Sequence, residues 1–239
     1  MFLEKIKKEI LKEKYSKEEL LKDEYLIDSE SQIKIYYAPF EYINKKASVI
    51  IVGITPGWSQ MEKSFRTVIR ELQLNKSLDS ALKTVKSESS FAGSMRKNLV
   101  KMLDELELNK TLKLESTNEL FNLTNNSLHT TSIIKYPVFN KGENYRGSSP
   151  SVINTDILWK QVEKEFVPEI NNFTDALIIP LGKSVEETLR KLQSEKMLNE
   201  NLILYGFPHP SGANGHRFKQ FESNKESMKQ KISNWKITI

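Results

Sequence analysis

Apolar residues follow two rhythms along this chain. One is the unbroken β-branched run Ala47-Ser48-Val49-Ile50-Ile51-Val52, a pattern that predicts a strand buried on both faces of a parallel sheet. Leu128-His129-Thr130-Thr131-Ser132-Ile133-Ile134-Lys135, stopped by Pro137, predicts a second strand. Thr174 to Gly182 predicts a third, and Leu202-Ile203-Leu204 a short fourth. The other rhythm is helical. Met61, Phe65, Val68, Ile69 and Leu72 share one face, then Leu78, Leu82 and Val85 interrupt a polar stretch, so residues 60–90 predict a helical insertion. Leu99, Met102, Leu103 and Leu106 form a stripe behind Phe91-Ala92-Gly93-Ser94, and Leu158 to Ile170 turns Trp159, Val162 and Phe166 inward. Ser184 to Leu192 and Phe218 to Ile232 complete the set.

Before the first strong strand, Phe2, Ile6, Ile10 and Leu11, then Leu20 and Leu21 behind the Ser16-Lys17-Glu18-Glu19 capping box, predict a pair of amphipathic helices over residues 1–25. Tyr36-Tyr37-Ala38-Pro39-Phe40 reads as an extended aromatic segment, and Asn140 to Ser151, rich in Gly, Asn and Ser, as a mobile loop. There is no internal repeat and no linker. Strands and helices alternate with short connections, which predicts one α/β domain over residues 1–239.

Composition narrows the chemistry. The 239 residues contain no cysteine, which excludes disulfides, thiolate metal sites and a Cys nucleophile. With three histidines and few clustered acids, neither a metal nor a cofactor is expected. The N-terminus has no apolar signal region and no stretch reaches membrane-spanning length, so a cytoplasmic protein without membrane contact, acting as a monomer, is expected. A net charge of +5 permits a polyanionic partner without demanding one.

Two loops at strand ends carry the candidate chemistry. Gly53-Ile54-Thr55-Pro56-Gly57 follows the first strand, where open α/β sheets place ligands, and it lacks the Gly-Lys-Ser/Thr of a phosphate loop. After the fourth strand comes Phe207-Pro208-His209-Pro210-Ser211-Gly212-Ala213-Asn214-Gly215-His216-Arg217. Two prolines fix the backbone on either side of His209, and the small residues behind it let a chain approach a ligand closely. In a parallel sheet both loops reach the same edge.

These segments, taken together and in order, resemble the uracil-DNA glycosylase superfamily. Gly53 to Gly57 is similar to its Gly-x-x-Pro-Gly motif, and Phe91-Ala92-Gly93 to its Phe-x-Gly segment. Thr131-Ser132-Ile133-Ile134-Lys135-Tyr136-Pro137 resembles its Thr-Asn-x-x-Lys strand, Pro180-Leu181-Gly182-Lys183-Ser184 its Leu-Gly-Lys turn, and His209-Pro210-Ser211 its second catalytic motif. The resemblance implies a three-layer α/β/α sandwich around a four-stranded parallel sheet. It also implies DNA as partner, and hydrolysis of the N-glycosidic bond of a uracil-like, damaged or modified pyrimidine flipped out of the helix. By the same likeness His209 is catalytic, stabilising charge on the departing base, and Thr55 stands at the water-holding position. Gly53, Ile54, Pro56, Gly57, Phe91, Ser132 and Asn214 would bind the base. Ser211, Gly212, Ala213, His216, Arg217 and Lys183 would meet DNA.

The departures define the open question. The superfamily places a carboxylate or amide where this chain has Ile54 and Thr55, so either the chemistry tolerates a weakly activated water, or another acid such as Glu62 reaches in, or activity is lost. Ser132 replaces a base-reading Asn and predicts a roomier pocket; Ala213 replaces a Leu wedge, leaving that role to His216 or Arg217. The alternatives are therefore a catalytically inactive DNA-binding or regulatory relative and, more distantly, a hydrolase of small N-glycosides.

Overall fold

The computed structural model describes residues 2–235. Its N-terminal part is less helical than the spacing predicts. Two short helices, α1 (Phe2–Ile6) and α2 (Lys17–Leu20), lead through a 3-10 turn (Asp23–Tyr25) into an antiparallel hairpin, β1 (Leu26–Glu30) and β2 (Ile33–Tyr36). The capping box of α2 forms as read, Ser16 Oγ accepting from the Glu19 N–H and the Glu19 carboxylate accepting from the Ser16 N–H. The apolar stripe fails after Ile6, because Ile10 is 75% exposed and cannot anchor a longer helix.

The strand β3 (Val49–Gly53) is the centre of the molecule. It is followed by the helical hairpin α3 (Trp58–Gln73) and α4 (Leu78–Ser89), then α5 (Ser94–Glu105), α6 (Leu108–Thr111) and β4 (Leu128–Ser132). Strand β5 (Val138–Asn140) leads into the Gly- and Asn-rich stretch predicted to be mobile, whose start instead pairs back on it as β6 (Glu143–Asn144). Helices α7 (Asp156–Gln161) and α8 (Val167–Ile170) are joined by a π-helical turn, and β7 (Leu177–Pro180), α9 (Lys183–Ser194), β8 (Leu202–Ile203) and α10 (Arg217–Asn234) close the chain.

Four strands pair in parallel in the order β4-β3-β7-β8, the sheet that the apolar runs predict. Its β-branched residues serve both faces. Ile50, Val52 and Ile178 pack with Leu158, Phe166, Val185 and Leu189 from α7 to α9. Val49, Ile51, Leu177 and Ile179 pack with Leu99, Leu103, Phe221 and Met228 from α5 and α10. A polar residue at any of these alternating positions would bury an unpaired group, which is why the run is continuous.

A second sheet, β1-β2-β5-β6, is antiparallel and was not foreseen. Its hairpins pack Tyr36 and Phe139 against Met61, Phe65, Val68, Ala81 and Val85 of α3 and α4. The helical insertion therefore has a partner of its own, made from residues 26–36, which follow the expected helix pair, and from 138–144, which run into the expected mobile loop.

Candidate active site at the parallel sheet edge

The carboxyl ends of β4, β3 and β7 lie side by side, tied by the Ile133 N–H to the Gly53 carbonyl (2.9 Å) and the Leu181 N–H to the Val52 carbonyl (2.9 Å). At the end of β3, Gly53 is needed for close approach: a Cβ there would stand 3.2 Å from a ring carbon of Phe91 and 3.4 Å from Ser132 Oγ. Phe91 is 7% exposed and holds a left-handed backbone with φ of +51°. An aromatic residue adopts that conformation at a cost of about 1–3 kcal/mol, and the surrounding packing must hold it there. Phe91, Ser132 and Pro56 line one small cavity, together with Gln60, Lys86, Lys135 and the Phe40 ring. The structure thus brings the strand-end glycine, the aromatic and the serine together.

His209 stands over the neighbouring strand. A Cβ on Gly182, whose φ is +91°, would lie 3.0 Å from His209 Cβ, so the turn after β7 is a bare platform for the histidine. The loop is braced on all sides: Asn98 donates to the Pro210 carbonyl (2.9 Å), Asn214 to the His209 carbonyl (3.2 Å), and Arg217 to the Ser211 carbonyl (2.7 Å). The imidazole Nδ1 accepts the Ser211 N–H at 3.2 Å, which places the ring hydrogen on Nε2. Burial pushes the His209 pKa down, so the ring is a neutral donor at neutral pH. His209 does not line the cavity itself. It stands two strands across from Ser132, about 10 Å by the strand spacing.

Other expected contributors take different places. The Thr55 hydroxyl donates to the Tyr136 carbonyl (2.8 Å) and accepts from the Val138 N–H (3.2 Å), so it clamps β3 to the approach of β5. Glu62 does not reach the cavity: it accepts from the Tyr15 N–H (3.1 Å) and pairs with Arg66 (2.7 Å) on the far side of α3. Gly57 and Ile54 pack against the second sheet's loop, near Asn144 and Gly147 respectively. Asn214 is a brace of the loop rather than a wall of the cavity. The space that a short Ser132 would open is shared by Lys86 and Phe40, so the cavity is not roomy.

On the outer side of the loop, Gly212, Ala213 and His216 are exposed, and among the described residues the Lys183 ammonium pairs only with Glu187, at 3.5 Å. Arg217 is held against the loop's own carbonyls and against the ring of Phe218 at 4.8 Å. Phe218 is 65% exposed at the start of α10, where helical spacing alone predicts only the first turn of a helix.

No protein-family model matches the chain. The uncharacterized protein YoxB of Bacillus subtilis (strain 168) is 41% identical over 240 residues, covering 100% of this chain and 93% of its own length. Among solved structures, the crystal structure of SMUG2 from Pedobacter heparinus covers 96% of this chain and 96% of its own, with 13% identity and a TM-score of 0.45.

Proposed function

We propose that this chain, which belongs to the family of the uncharacterized protein YoxB of Bacillus subtilis, is a DNA glycosylase that releases a uracil-like, damaged or modified pyrimidine flipped out of DNA. The observation that carries the reading is the convergence of Gly53, Phe91 and Ser132 at the carboxyl ends of neighbouring strands, with a neutral, rigidly braced His209 on the same sheet edge two strands from Ser132. Phe91 offers a ring face for stacking, Gly53 and Pro56 let the base approach the backbone, and Ser132 reads its edge.

Chemically, the C1′–N1 bond breaks and its electron pair leaves with the base, while the sugar becomes an oxocarbenium-like cation. Neutral hydrogen-bond donors aimed at the base carbonyls stabilise the departing charge without a proton transfer. The cavity walls contain no carboxylate among the described residues, and the Thr55 hydroxyl is engaged with backbone. Catalysis therefore rests on leaving-group stabilisation, with water adding to C1′ late and giving up its proton to solvent. Lys183, His216, Ser211, Gly212 and Ala213 meet phosphates, and Phe218, in place of the wedge expected of His216 or Arg217, fills the gap left by the flipped base.

The engaged Thr55 also favours a second reading, in which the protein binds DNA without turning over. Oligonucleotides carrying uracil, mismatched thymine or 5-hydroxymethylcytosine, treated with alkali after incubation, separate the two. Strand breaks at the base position, lost in His209→Ala, support the glycosylase. Salt-dependent binding that His209→Ala leaves unchanged, with no breaks, supports the binding protein.

A further inference from the structure

The cavity's polar wall carries two lysines beside Gln60, Ser90, Thr130, Thr131 and Ser132, and one of the two lacks an ion-pair partner among the described residues. Lys86 comes from α4, the inserted helix, and is only 8% exposed. Its Nζ donates to the Thr130 carbonyl at 2.7 Å, on the edge strand two residues before Ser132. Lys135, the other lysine of the wall, is satisfied by Glu169 (2.9 Å) and Glu165 (3.4 Å). Lys86 has no carboxylate within ion-pair distance among the described residues, although Glu41, Glu169, Lys135 and His129 surround it more distantly. An ammonium taken out of water without an ionic partner is a net cost to folding. A neutral amide would serve the Thr130 carbonyl as well. Its charge acts at a distance on Glu169 and faces the Phe40 ring at 5.9 Å, and its hydrogen bond to Thr130 leaves two N–H donors for an acceptor that enters the cavity.

We propose that Lys86 is a catalytic residue of this site, its ammonium donating to a carbonyl oxygen of the departing pyrimidine and stabilising the negative charge that gathers there. The proposal rests on the glycosylase reading above and deepens it. As the C1′–N1 bond breaks, its electron pair spreads over N1 and the ring carbonyls; water supplies the new C1′–O bond, and its proton passes to solvent. A positive charge at the carbonyl end strengthens as the transition state forms, which is the condition for raising the rate rather than only the affinity. A 4-oxo pyrimidine meets the Lys86 donors with an acceptor, whereas a 4-amino pyrimidine meets them with another donor and is rejected.

Burial pushes the Lys86 pKa down to about 8, so the two consequences of raising pH have opposite signs. The catalytic ammonium is lost as pH rises through about 8. Stability moves the other way: the depressed pKa costs folding free energy at low pH, a cost removed as pH rises from about 8 toward the ordinary lysine value of 10.5.

The test is single-turnover base release by the full chain from oligonucleotides carrying uracil or the more acidic 5-fluorouracil. Wild type is compared with Lys86→Gln, Lys86→Arg and His209→Ala between pH 6.5 and about 9.5. K86Q keeps a donor for Thr130 without the charge. The expected results are a roughly 100-fold slower step on uracil in K86Q, a smaller loss on 5-fluorouracil, and a wild-type rate that declines above about pH 8 while K86R does not decline. K86R alone carries the pH comparison if K86Q does not fold. A K86Q rate equal to wild type, an equal loss on both bases, or the same alkaline decline in K86R overturns the assignment of Lys86. If wild type releases no base at all, the glycosylase reading fails with it; if wild type releases base and only His209→Ala is inactive, Lys86 alone is wrongly assigned.

Discussion

At residue scale, the site separates groups that are held from groups that hold. His209 is held: its Nδ1 is committed to the Ser211 N–H, leaving Nε2–H as the donor. His209→Ala is expected to slow base release by about 100- to 1,000-fold, the range typical of losing one preorganised donor. The unfolding midpoint should stay near wild type, measured by thermal melting, because the loop remains braced by Asn98 and Arg217. Thr55 is a holder, standing where a water-positioning side chain was expected. Thr55→Val removes a donor from the Tyr136 carbonyl and an acceptor from the Val138 N–H, so it should cost about 1–3 kcal/mol in urea unfolding. Thr55→Ser should restore most of that stability. A T55V protein with wild-type stability and no activity would return Thr55 to the water. Phe218 is exposed, so Phe218→Ala should leave the melting temperature unchanged while weakening turnover on double-stranded DNA more than on single-stranded DNA.

At the scale of elements, the parallel sheet and the two loops were legible because period and turn chemistry are local properties. The runs Val49 to Val52 and Leu177 to Pro180 are apolar on successive residues, and only a strand buried on both faces has that need. The proline frame of His209 and the bare turn at Gly182 likewise belong to short stretches. What escaped was pairing across distance. Nothing near Leu26 to Tyr36 says that its partner is Val138 to Asn140, more than a hundred residues on, so the antiparallel sheet was invisible and the segments around it were read as helix and loop. Lys86 escaped for a related reason. Within α4 it is one of two lysines, and only its folding against the Thr130 carbonyl distinguishes it from a solvated surface charge. Glu62 shows the same limit from the other side, since the acidic residue nearest the first loop along the chain is turned toward Tyr15.

At the scale of the whole molecule, a buried ionic cluster ties the parallel sheet to the helices behind it. Glu169, 2% exposed, accepts from His129 Nε2 at 2.8 Å and pairs with Lys135 at 2.9 Å. Burial alone would raise the Glu169 pKa, but the His129 hydrogen bond and the charges of Lys86 and Lys135 outweigh it and hold the carboxyl well below the usual range. Burial keeps His129 neutral, so its Nε2–H is the donor to that carboxylate. A depressed carboxyl pKa contributes stability above its unfolded value of 4.5, and that contribution is lost as pH falls below it. Glu169→Gln should therefore cost about 3–5 kcal/mol at pH 7 in chemical unfolding, and the gap to wild type should narrow under acid conditions. The outer surface answers to different physics. Lys183→Ala should weaken DNA binding across all sequences and reduce the salt slope by about 1, as expected of a single phosphate contact.

The account stands most directly on base release itself. An oligonucleotide with a single uracil, incubated with the protein and then cleaved with alkali, should break at the uracil with wild type, and not with His209→Ala despite equal folding and equal DNA affinity. Intact DNA with wild type for uracil, mismatched thymine and 5-hydroxymethylcytosine alike, from a folded protein that still binds the strand, would contradict it.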